Sequence, residues 1–224
     1  MDEIEPGIKQ EPSPLARLKY EVDESILLNK CENLDPLDFF HILESRKSGR
    51  ICSKLTIQEL GKLFFYSCRV KSSVRNEIGL EIQERNVPSA GALHSIDCFV
   101  SKLDSPDWYV YNSYKHSMDR LKLCHTRSIE THKKECFSIL PEMQSGYLIW
   151  YVCDIGRMES KYVNPESLAF RDSGVLSGTH NLLATALGLP FCIAGRLGYQ
   201  EAADLSDERH LIGVGTAIVG GERI

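Results

Sequence analysis

Apolar side chains along the chain recur with two different spacings, and the spacing separates predicted helices from predicted strands. Between residues 37 and 64, apolar positions lie three and four residues apart, as on a helix with one buried face. From residue 96 onward, short continuous apolar runs follow one another, and such runs are typical of buried strands. The pattern predicts helices packed outside a central sheet, which is an α+β domain.

Three predicted helices carry end signals. The first begins at Asp35–Pro36, with the aspartate as N-cap and the proline at the first helical position. Its predicted buried face consists of Leu37, Phe40 and Leu43. The second begins at Thr56, and Glu59 three residues later completes a capping box over a face of Leu60, Leu63 and Phe64. The third spans about 167–187, where Gly188 ends it and Pro190 prevents its continuation.

The remaining segments are assigned by composition. Residues 71–87 are polar and are predicted to form a loop, and residues 124–145 are predicted to form a helix with a polar face. Six apolar runs are predicted strands: 96–103, 108–111, 118–123, 147–153, 190–194 and 211–219. Residues 1–34 are acidic and proline-rich, so we expect an extended or partly disordered arm ahead of one domain at 35–224.

Charge and composition narrow the function classes. The chain has 224 residues and a formal net charge of −5, without the basic surface that nucleic-acid binding needs. No apolar run is long enough to cross a bilayer, and the acidic N-terminus lacks signal-peptide character. We therefore expect a cytoplasmic protein that binds neither nucleic acid nor membrane.

Eight cysteines show no Cys-x-x-Cys pair and no zinc-like spacing, so no metal site is predicted. Most of them stand among apolar neighbours, as Cys98 and Cys192 do, which favours reduced and buried thiols. A catalytic thiol stays possible, although the sequence singles out no cysteine for that role.

The segment Pro88–His94 carries the clearest candidate chemistry. A proline directs the chain into a turn, Ser89 can cap the following helical turn, and Gly91 permits a ligand to approach the backbone closely. Free N–H groups at such a turn attract a phosphate or the hydrogen-bonding edge of a flavin ring. Taken alone this segment is a weak signal, because similar turns occur in many loops.

Together with the run at 96–100 and the segment Tyr109–Asn112, this turn resembles the nitroreductase superfamily. More narrowly it resembles the SagB-like branch, flavin-dependent dehydrogenases that include azoline oxidases of peptide natural-product pathways. Further segments follow in the order that the family shows: Ser45–Arg50, Lys161-Tyr162, Asn181–Pro190, Gly195-Arg196 and His210–Gly215. The resemblance covers about residues 37–219.

The resemblance implies a nitroreductase-like, mostly antiparallel sheet flanked by helices, in a homodimer that binds FMN at its two-fold interface. Arg46, Lys47 and Arg50 would hold the FMN phosphate and ribityl chain. The other expected cofactor contacts are Pro88, Ser89, Ala90, Gly91, His94, Gly195 and Arg196. Lys161 and Tyr162 stand where azoline-oxidising members carry a Lys-Tyr pair and would serve as the acid/base pair. Neighbours in an extended chain point to opposite sides, so both reach one site only if the backbone turns.

Three hypotheses follow. The first is an FMN-dependent dehydrogenase or oxidase of SagB type that converts an azoline of a modified peptide or related small molecule to an azole. The second is a nitroreductase-like enzyme that reduces its substrates with NAD(P)H. The third is a scaffold that has lost FMN, because a fold does not guarantee an activity. The Lys161-Tyr162 pair favours the first, and His94-Ser95 departs from the His-Pro or aromatic-Pro sequence common in the family.

Overall fold

The computed structural model of the chain describes residues 5–31, 36–123 and 127–221. Its strands are β1 (Gly7–Ile8), β2 (Val22–Leu27), β3 (Ser72–Arg75), β4 (Glu81–Glu84), β5 (Ile96–Ser101), β6 (Trp108–Asn112), β7 (Ser117–Leu121), β8 (Tyr147–Asp154), β9 (Tyr162–Val163), β10 (Phe191–Ala194) and β11 (Leu211–Val219). Its helices are α1 (Phe39–Ser45), α2 (Ile57–Ser67), α3 (Arg127–Ile139), α4 (Ile155–Glu159) and α5 (Glu166–Ala186). Short 3₁₀ turns cover Ala90–Ala92, Pro141–Met143 and Glu201–Leu205.

Seven strands form the central sheet in the order β10-β11-β8-β5-β6-β7-β2, and every neighbouring pair is antiparallel. Strand β8 is an inner strand between β11 and β5, and all eight of its residues are buried. Ile149, Tyr151 and Cys153 pack into one apolar cluster together with residues of α2 and α5. The alternating Leu148, Trp150 and Val152 pack into a second cluster on the α3 face. Helices on both faces of the sheet confirm the predicted α+β architecture.

Two helices begin and end as their sequence signals predict. At the start of α2, the Thr56 side chain accepts a hydrogen bond from the Glu59 N–H at 3.2 Å, and the Glu59 carboxylate accepts one from the Thr56 N–H at 2.8 Å. Leu60, Leu63 and Phe64 are fully buried. Helix α5 ends before Gly188, whose φ of 67° closes the helix in the left-handed conformation that glycine adopts without strain.

Helix α1 differs from its prediction. Asp38 caps it by accepting from the Phe40 N–H at 2.8 Å, so Pro36 stands before the helix; Asp35 lies outside the described residues. The predicted buried face is wrong, because Leu37, Phe40 and Leu43 are 54%, 73% and 46% exposed. A periodic pattern shows that one side of a helix is apolar and does not show whether this chain covers it.

Other elements were missed or misplaced. The predicted loop at 71–87 contains the antiparallel hairpin β3–β4, whose turn is closed by Gly79 with a φ of 80°. These strands were not predicted because all four residues of β3 are exposed, so its sequence shows no alternation of buried and exposed positions. The helix predicted for 124–145 is shorter, since α3 ends at Ile139 before a 3₁₀ turn; residues 124–126 lie outside the description. The five-residue helix α4 was not predicted.

The N-terminal segment runs extended along the domain. Strand β1 pairs with β9, and β2 pairs with β7 as the last strand of the central sheet. Between them, the Arg17 guanidinium forms an ion pair with the buried Asp97 carboxylate. The predicted boundary at 34/35 falls within residues that are not described. Among the helices that are described, none combines the length and apolar content needed to cross a membrane.

Candidate functional site

The segment Pro88–His94 forms a tight turn in which three residues have the left-handed backbone conformation. Gly91, Ala92 and His94 all have positive φ, of 58°, 54° and 47°. The Ser89 hydroxyl accepts a hydrogen bond from the His94 N–H at 2.9 Å and closes the turn on itself. Ser89 thus occupies the predicted N-cap position, but its hydroxyl does not cap the short 3₁₀ turn and instead accepts from the N–H of His94, which lies beyond that turn.

Lys161 and Tyr162 both extend to this turn. A methyl group built on Gly91 would stand 2.5 Å from the Lys161 Nζ and 2.5 Å from the Tyr162 hydroxyl oxygen. The two ends therefore converge on one side of Gly91, and the Lys161 Nζ lies 5.5 Å from the centre of the Tyr162 ring. The chain turns between α4 and β9, and the Lys161 carbonyl accepts from the Lys9 N–H of the N-terminal segment at 2.9 Å.

Asp172, on the second turn of α5, is a third member of this site that sequence analysis missed. Both of its carboxylate oxygens lie 3.0 Å from the Ala90 nitrogen, whose N–H they accept. Burial raises the pKa of Asp172. Burial, together with the Asp172 charge, also raises the pKa of Tyr162, so its phenol is protonated at neutral pH. No local pattern could have revealed Asp172, because it lies 82 positions from Ala90.

His94 lies beneath the turn and serves it structurally. Its side chain is buried, and its Nε2 lies 3.1 Å from the Gln83 carbonyl oxygen. Burial and the neighbouring Arg85 guanidinium lower the pKa of His94 to about 3. An uncharged imidazole whose Nε2–H donates to Gln83 satisfies both observations.

The basic segment Arg46–Arg50 lies elsewhere. Gly49 anchors it, because its N–H donates to the Phe191 carbonyl at 3.0 Å and a Cβ there would stand 2.7 Å from the Pro190 Cα. Arg46, Lys47 and Arg50 are exposed, and none of the three forms an ion pair with a described residue. Three uncompensated cations on one short segment are suited to an anion such as a phosphate.

The basic segment and the Ser89–Gly91 turn are far apart within one chain. The basic segment adjoins the residues that follow the C-terminal end of α5, whereas Asp172 at the turn lies near the N-terminal end. Fifteen residues separate Asp172 from Leu187, which corresponds to about 22 Å at 1.5 Å per residue. The structure therefore does not bring the two predicted halves of the cofactor site together in a single copy.

The last two predicted cofactor contacts follow β10. Nothing lies within 4 Å of a Cβ built on Gly195, so the backbone there is open to approach. Arg196 is already occupied, because its guanidinium lies 2.6 Å from a Glu135 carboxylate oxygen and 3.1 Å from one of Glu201. Of these two residues, Gly195 is therefore the one that is free to contact a cofactor.

No cluster of three or more histidine, cysteine or acidic side chains suited to a metal ion occurs within residues 5–31, 36–123 and 127–221. The turn brings together an amine, a phenol and a carboxylate, which are groups that transfer protons.

Comparison with known proteins relates this arrangement to one fold. No family model matches the sequence, and no curated protein matches it. A crystal structure assigned as a nitroreductase from Ralstonia eutropha superposes with a TM-score of 0.63 at 17% identity, covering 95% of this chain and 99% of the other.

Two further structures extend the comparison. The E. coli microcin synthetase McbBCD complex with truncated pro-MccB17 bound matches with a TM-score of 0.56 at 17% identity, over 87% of this chain and 76% of that one. A protein assigned as a nitroreductase from Desulfovibrio desulfuricans, in complex with FMN, matches with a TM-score of 0.54 at 13% identity, over 85% and 89%. The chain has the fold of the nitroreductases.

Proposed function

We propose that the protein is an FMN-dependent oxidoreductase of SagB type, which oxidises an azoline of a modified peptide or related small molecule to an azole. The convergence of the Lys161 amine and the Tyr162 hydroxyl on Gly91 carries this proposal. A proton-transferring pair at a small-residue turn is what removal of a proton beside a departing hydride requires. The fold shared with a structure in complex with FMN supports the cofactor, and the fold shared with the microcin synthetase complex that has truncated pro-MccB17 bound supports the substrate class.

The residues present suit FMN. The free cations of Arg46, Lys47 and Arg50 match a phosphate, and the open backbone at Gly195 leaves room for a ligand. The turn at Gly91 offers a surface on which only glycine leaves space beside the Lys161 and Tyr162 ends. These residues would hold the phosphate at one end and the ring at the other.

When bound, FMN supplies the hydride acceptor that no side chain can replace. Tyr162 keeps its proton at neutral pH and is a hydrogen-bond donor toward the substrate. Lys161 would accept the proton that the neighbouring substrate carbon loses. Asp172 holds the Ala90 N–H and keeps the turn in place during the reaction.

We propose further that the site is completed by a second copy of the chain. Seven bonds join the ring nitrogen N10 of FMN to its phosphorus, a span of about 8 Å when extended, since a backbone residue of three bonds covers about 3.5 Å. The stretch of α5 from Asp172, which contacts the turn, to Leu187, near the residues that anchor the basic segment, is about 22 Å long and exceeds this span. A two-fold dimer can place the basic segment of one copy beside the turn of the other.

The exposed face of α1 supports the same assembly. Phe39, Phe40 and Leu43 are 58%, 73% and 46% exposed, and no residue of this helix is buried. Apolar side chains gathered on one exposed helix are typical of a protein interface. The helix adjoins the basic segment, so covering α1 would bring a partner to the phosphate contacts.

The first test is the absorption spectrum of the purified protein after addition of excess FMN and desalting. We expect flavin bands at about one FMN per chain, followed by bleaching with an azoline-containing peptide and return of the colour in air. Bleaching by NAD(P)H but not by the peptide would favour the nitroreductase-like alternative. A colourless protein that cannot be reconstituted would favour the scaffold and contradict the proposal.

Variants separate binding from chemistry. Lys161→Ala and Tyr162→Phe should retain FMN and lower turnover by about 10² or more, which is the usual contribution of a general acid or base. Lys122→Ala, an exposed lysine far along the chain, is the matched control and should leave turnover unchanged. Loss of FMN in the Lys161 and Tyr162 variants would show that the pair holds the cofactor instead.

Removal of Arg46 and Arg50 together should weaken FMN retention at least tenfold, because each phosphate contact by a charged donor contributes about 1.5–3 kcal/mol. Arg75→Ala removes an equally exposed arginine from β3 and serves as control. Unchanged flavin content in the double variant would refute the phosphate assignment.

The dimer has its own test. Sedimentation should report about twice the 25.3 kDa of one chain. Phe40→Asp should shift the protein toward monomer and release FMN in parallel, whereas Val74→Asp, at a residue 63% exposed on β3, should do neither. A monomer that binds FMN fully would contradict the shared site.

A further inference from the structure

The Lys161 amine and the Tyr162 hydroxyl reach Gly91 without polar partners of their own. Within residues 5–31, 36–123 and 127–221, neither group forms a hydrogen bond or an ion pair. A long side chain with an unpaired end has many rotamers open to it, and no bond at its tip selects the one that points at the turn. The position of both ends is therefore set by the backbone that carries them, and the contacts that hold this backbone also hold the site.

That backbone lies outside the central sheet. Strand β9 forms a separate two-stranded sheet with β1, and no other described strand pairs with it. In this sheet Ile8 lies opposite Tyr162. One position further along, the Lys9 N–H donates to the Lys161 carbonyl at 2.9 Å. The N-terminal segment is thus the strand partner of the two residues that converge on the turn.

The same segment is bonded to the base of the turn. The Ser13 N–H donates to the Ser160 carbonyl at 3.0 Å, directly before the pair. Further along, the Arg17 Nη1 donates to the His94 carbonyl at 3.1 Å. Residues 7–17, the N-terminal strap, therefore contact both halves of the candidate site.

A buried arginine of α4 joins the strap to the turn. Arg157 donates through Nε to the Leu93 carbonyl at 3.1 Å and through Nη1 to the Leu15 carbonyl at 3.5 Å. Hydrogen bonds from a charged donor are stronger than those between neutral groups. The strap, α4 and the turn are therefore held in one arrangement, and Lys161 follows directly after the C-cap of α4.

We propose that the N-terminal strap positions the Lys161-Tyr162 pair for the reaction, and that the bond from the Lys9 N–H to the Lys161 carbonyl is the contact that fixes it. The strap residues act through the backbone of the pair, so they are positioning residues. Their role in turnover rests on the proposed function, whereas the placement of the pair by the strap can be measured without FMN or substrate.

A strap that merely stabilised the domain would behave differently. Its loss would lower the melting temperature and leave the turnover of the folded protein unchanged. Loss of a positioning strap lowers kcat in a protein that is still folded and still holds FMN. The measurement that separates the two roles is therefore kcat in a variant that changes one backbone bond of the strap.

Lys9→Pro is that variant, because proline has no backbone N–H to donate to the Lys161 carbonyl. We expect kcat to fall on the order of 10²-fold, with FMN content and KM unchanged, because a shift of about 1 Å in a reacting group has that effect. Lys9→Ala keeps the N–H and should keep the turnover. Ser13→Pro, which removes the bond to the Ser160 carbonyl, is the second variant and should also lower kcat.

Asn29→Pro is the matched proline control. Its N–H belongs to the same N-terminal segment but donates to the Gln58 side-chain oxygen at 2.8 Å, at the start of α2. This variant also loses one hydrogen bond of the segment, so its melting temperature should fall as that of Lys9→Pro does. Its kcat should stay at the wild-type value.

Limited trypsin digestion reports the placement of the pair without cofactor. Trypsin cuts after lysine, and a peptide bond in a paired strand is cut when the strand opens. In the wild-type protein, cleavage after Lys161 should be slower than after the exposed Lys47. The ratio of these two rates should rise about tenfold in Lys9→Pro, since loss of a backbone hydrogen bond changes an opening equilibrium by about that factor. The ratio should not rise in Lys9→Ala, which lacks the same cleavage site at position 9.

The outcomes separate the strap from the proposed function. Faster cleavage after Lys161 together with lower kcat in Lys9→Pro supports the proposal. Unchanged kcat in Lys9→Pro with FMN bound overturns it, and so does an equal fall of kcat in Asn29→Pro; both leave the proposed function intact. Cleavage after Lys161 as fast as after Lys47 in the wild-type protein also overturns it, a result that needs no variant to fold. A wild-type protein that holds FMN and oxidises no azoline peptide contradicts the proposed function, and with it the role of the strap in turnover.

Discussion

Replacement of Gly91 by alanine tests the site at the point where its three groups meet. The backbone there has a φ of 58°, and the new methyl group would stand 2.5 Å from both the Lys161 Nζ and the Tyr162 hydroxyl oxygen. Atoms do not remain at that distance, so both side-chain ends must move away from the turn. Because they are the far ends of flexible side chains, they can do so without disturbing the core.

The expected cost to stability is small. An L residue in the left-handed conformation costs about 1–2 kcal/mol. For a domain of this size, about 1 kcal/mol corresponds to about 2–4 °C in melting temperature, so we expect a decrease of about 2–8 °C. The expected cost to turnover is larger, on the order of 10²-fold, because a shift of about 1 Å in a catalytic group has that effect.

Gly79→Ala is the matched control for this comparison. Gly79 has a φ of 80° in the β3–β4 turn, and its new methyl group would meet only the Pro14 ring at 3.4 Å, an ordinary contact. Both variants should lose similar stability by thermal denaturation, and only Gly91→Ala should lose turnover with FMN still bound. Equal turnover in the two variants would refute the placement of Lys161 and Tyr162 at the reacting atoms.

Two further predictions concern stability. Burial and Arg85 keep His94 uncharged in the folded protein down to pH about 3, whereas a histidine in the unfolded chain takes up its proton near pH 6.5. The free energy of unfolding therefore falls as the pH drops below 6.5, and at pH 5 it is lower by about 2 kcal/mol. His94→Asn, which tolerates the positive φ, should flatten urea midpoints between pH 7 and 5, and an unchanged slope would assign the acid sensitivity to other groups. The sequence alone would treat residues 1–30 as dispensable, but their removal deletes β2 and the Arg17 cation that is paired with the buried Asp97. We expect this truncation to lower the free energy of unfolding, measured by urea titration, by about 3 kcal/mol or more. A truncated protein of full stability would show that the segment does not stabilise the domain.

Local signals were sufficient where the interactions themselves are local. The capping box of α2 joins residues three apart, and the end of α5 depends on Gly188 directly after it. Strand β8 could be predicted because an eight-residue strand covered on both faces must be apolar throughout. The polar hairpin β3–β4 could not, since neither face of β3 is buried and its sequence carries no period.

Some residues of the candidate site could be named from the sequence, and others could not. Sequence resemblance named the turn at Ser89–Gly91 and the pair Lys161-Tyr162, and the structure brings these together. Asp172 escaped notice, because its contact with Ala90 spans 82 positions. The basic segment was named with the turn as one site, and the length of α5 separates them within one chain.

By itself, the sequence determined which of the strongly apolar segments are helical or extended, that helices pack against the sheet, and which residues are small enough for the tight turn. Only the tertiary structure decided that two adjacent side chains reach Gly91 together and that α1 leaves its apolar face uncovered. The physical reason is that turns, caps and periodic faces arise from neighbours along the chain. Contacts between side chains distant in sequence depend on how the helices pack on the sheet.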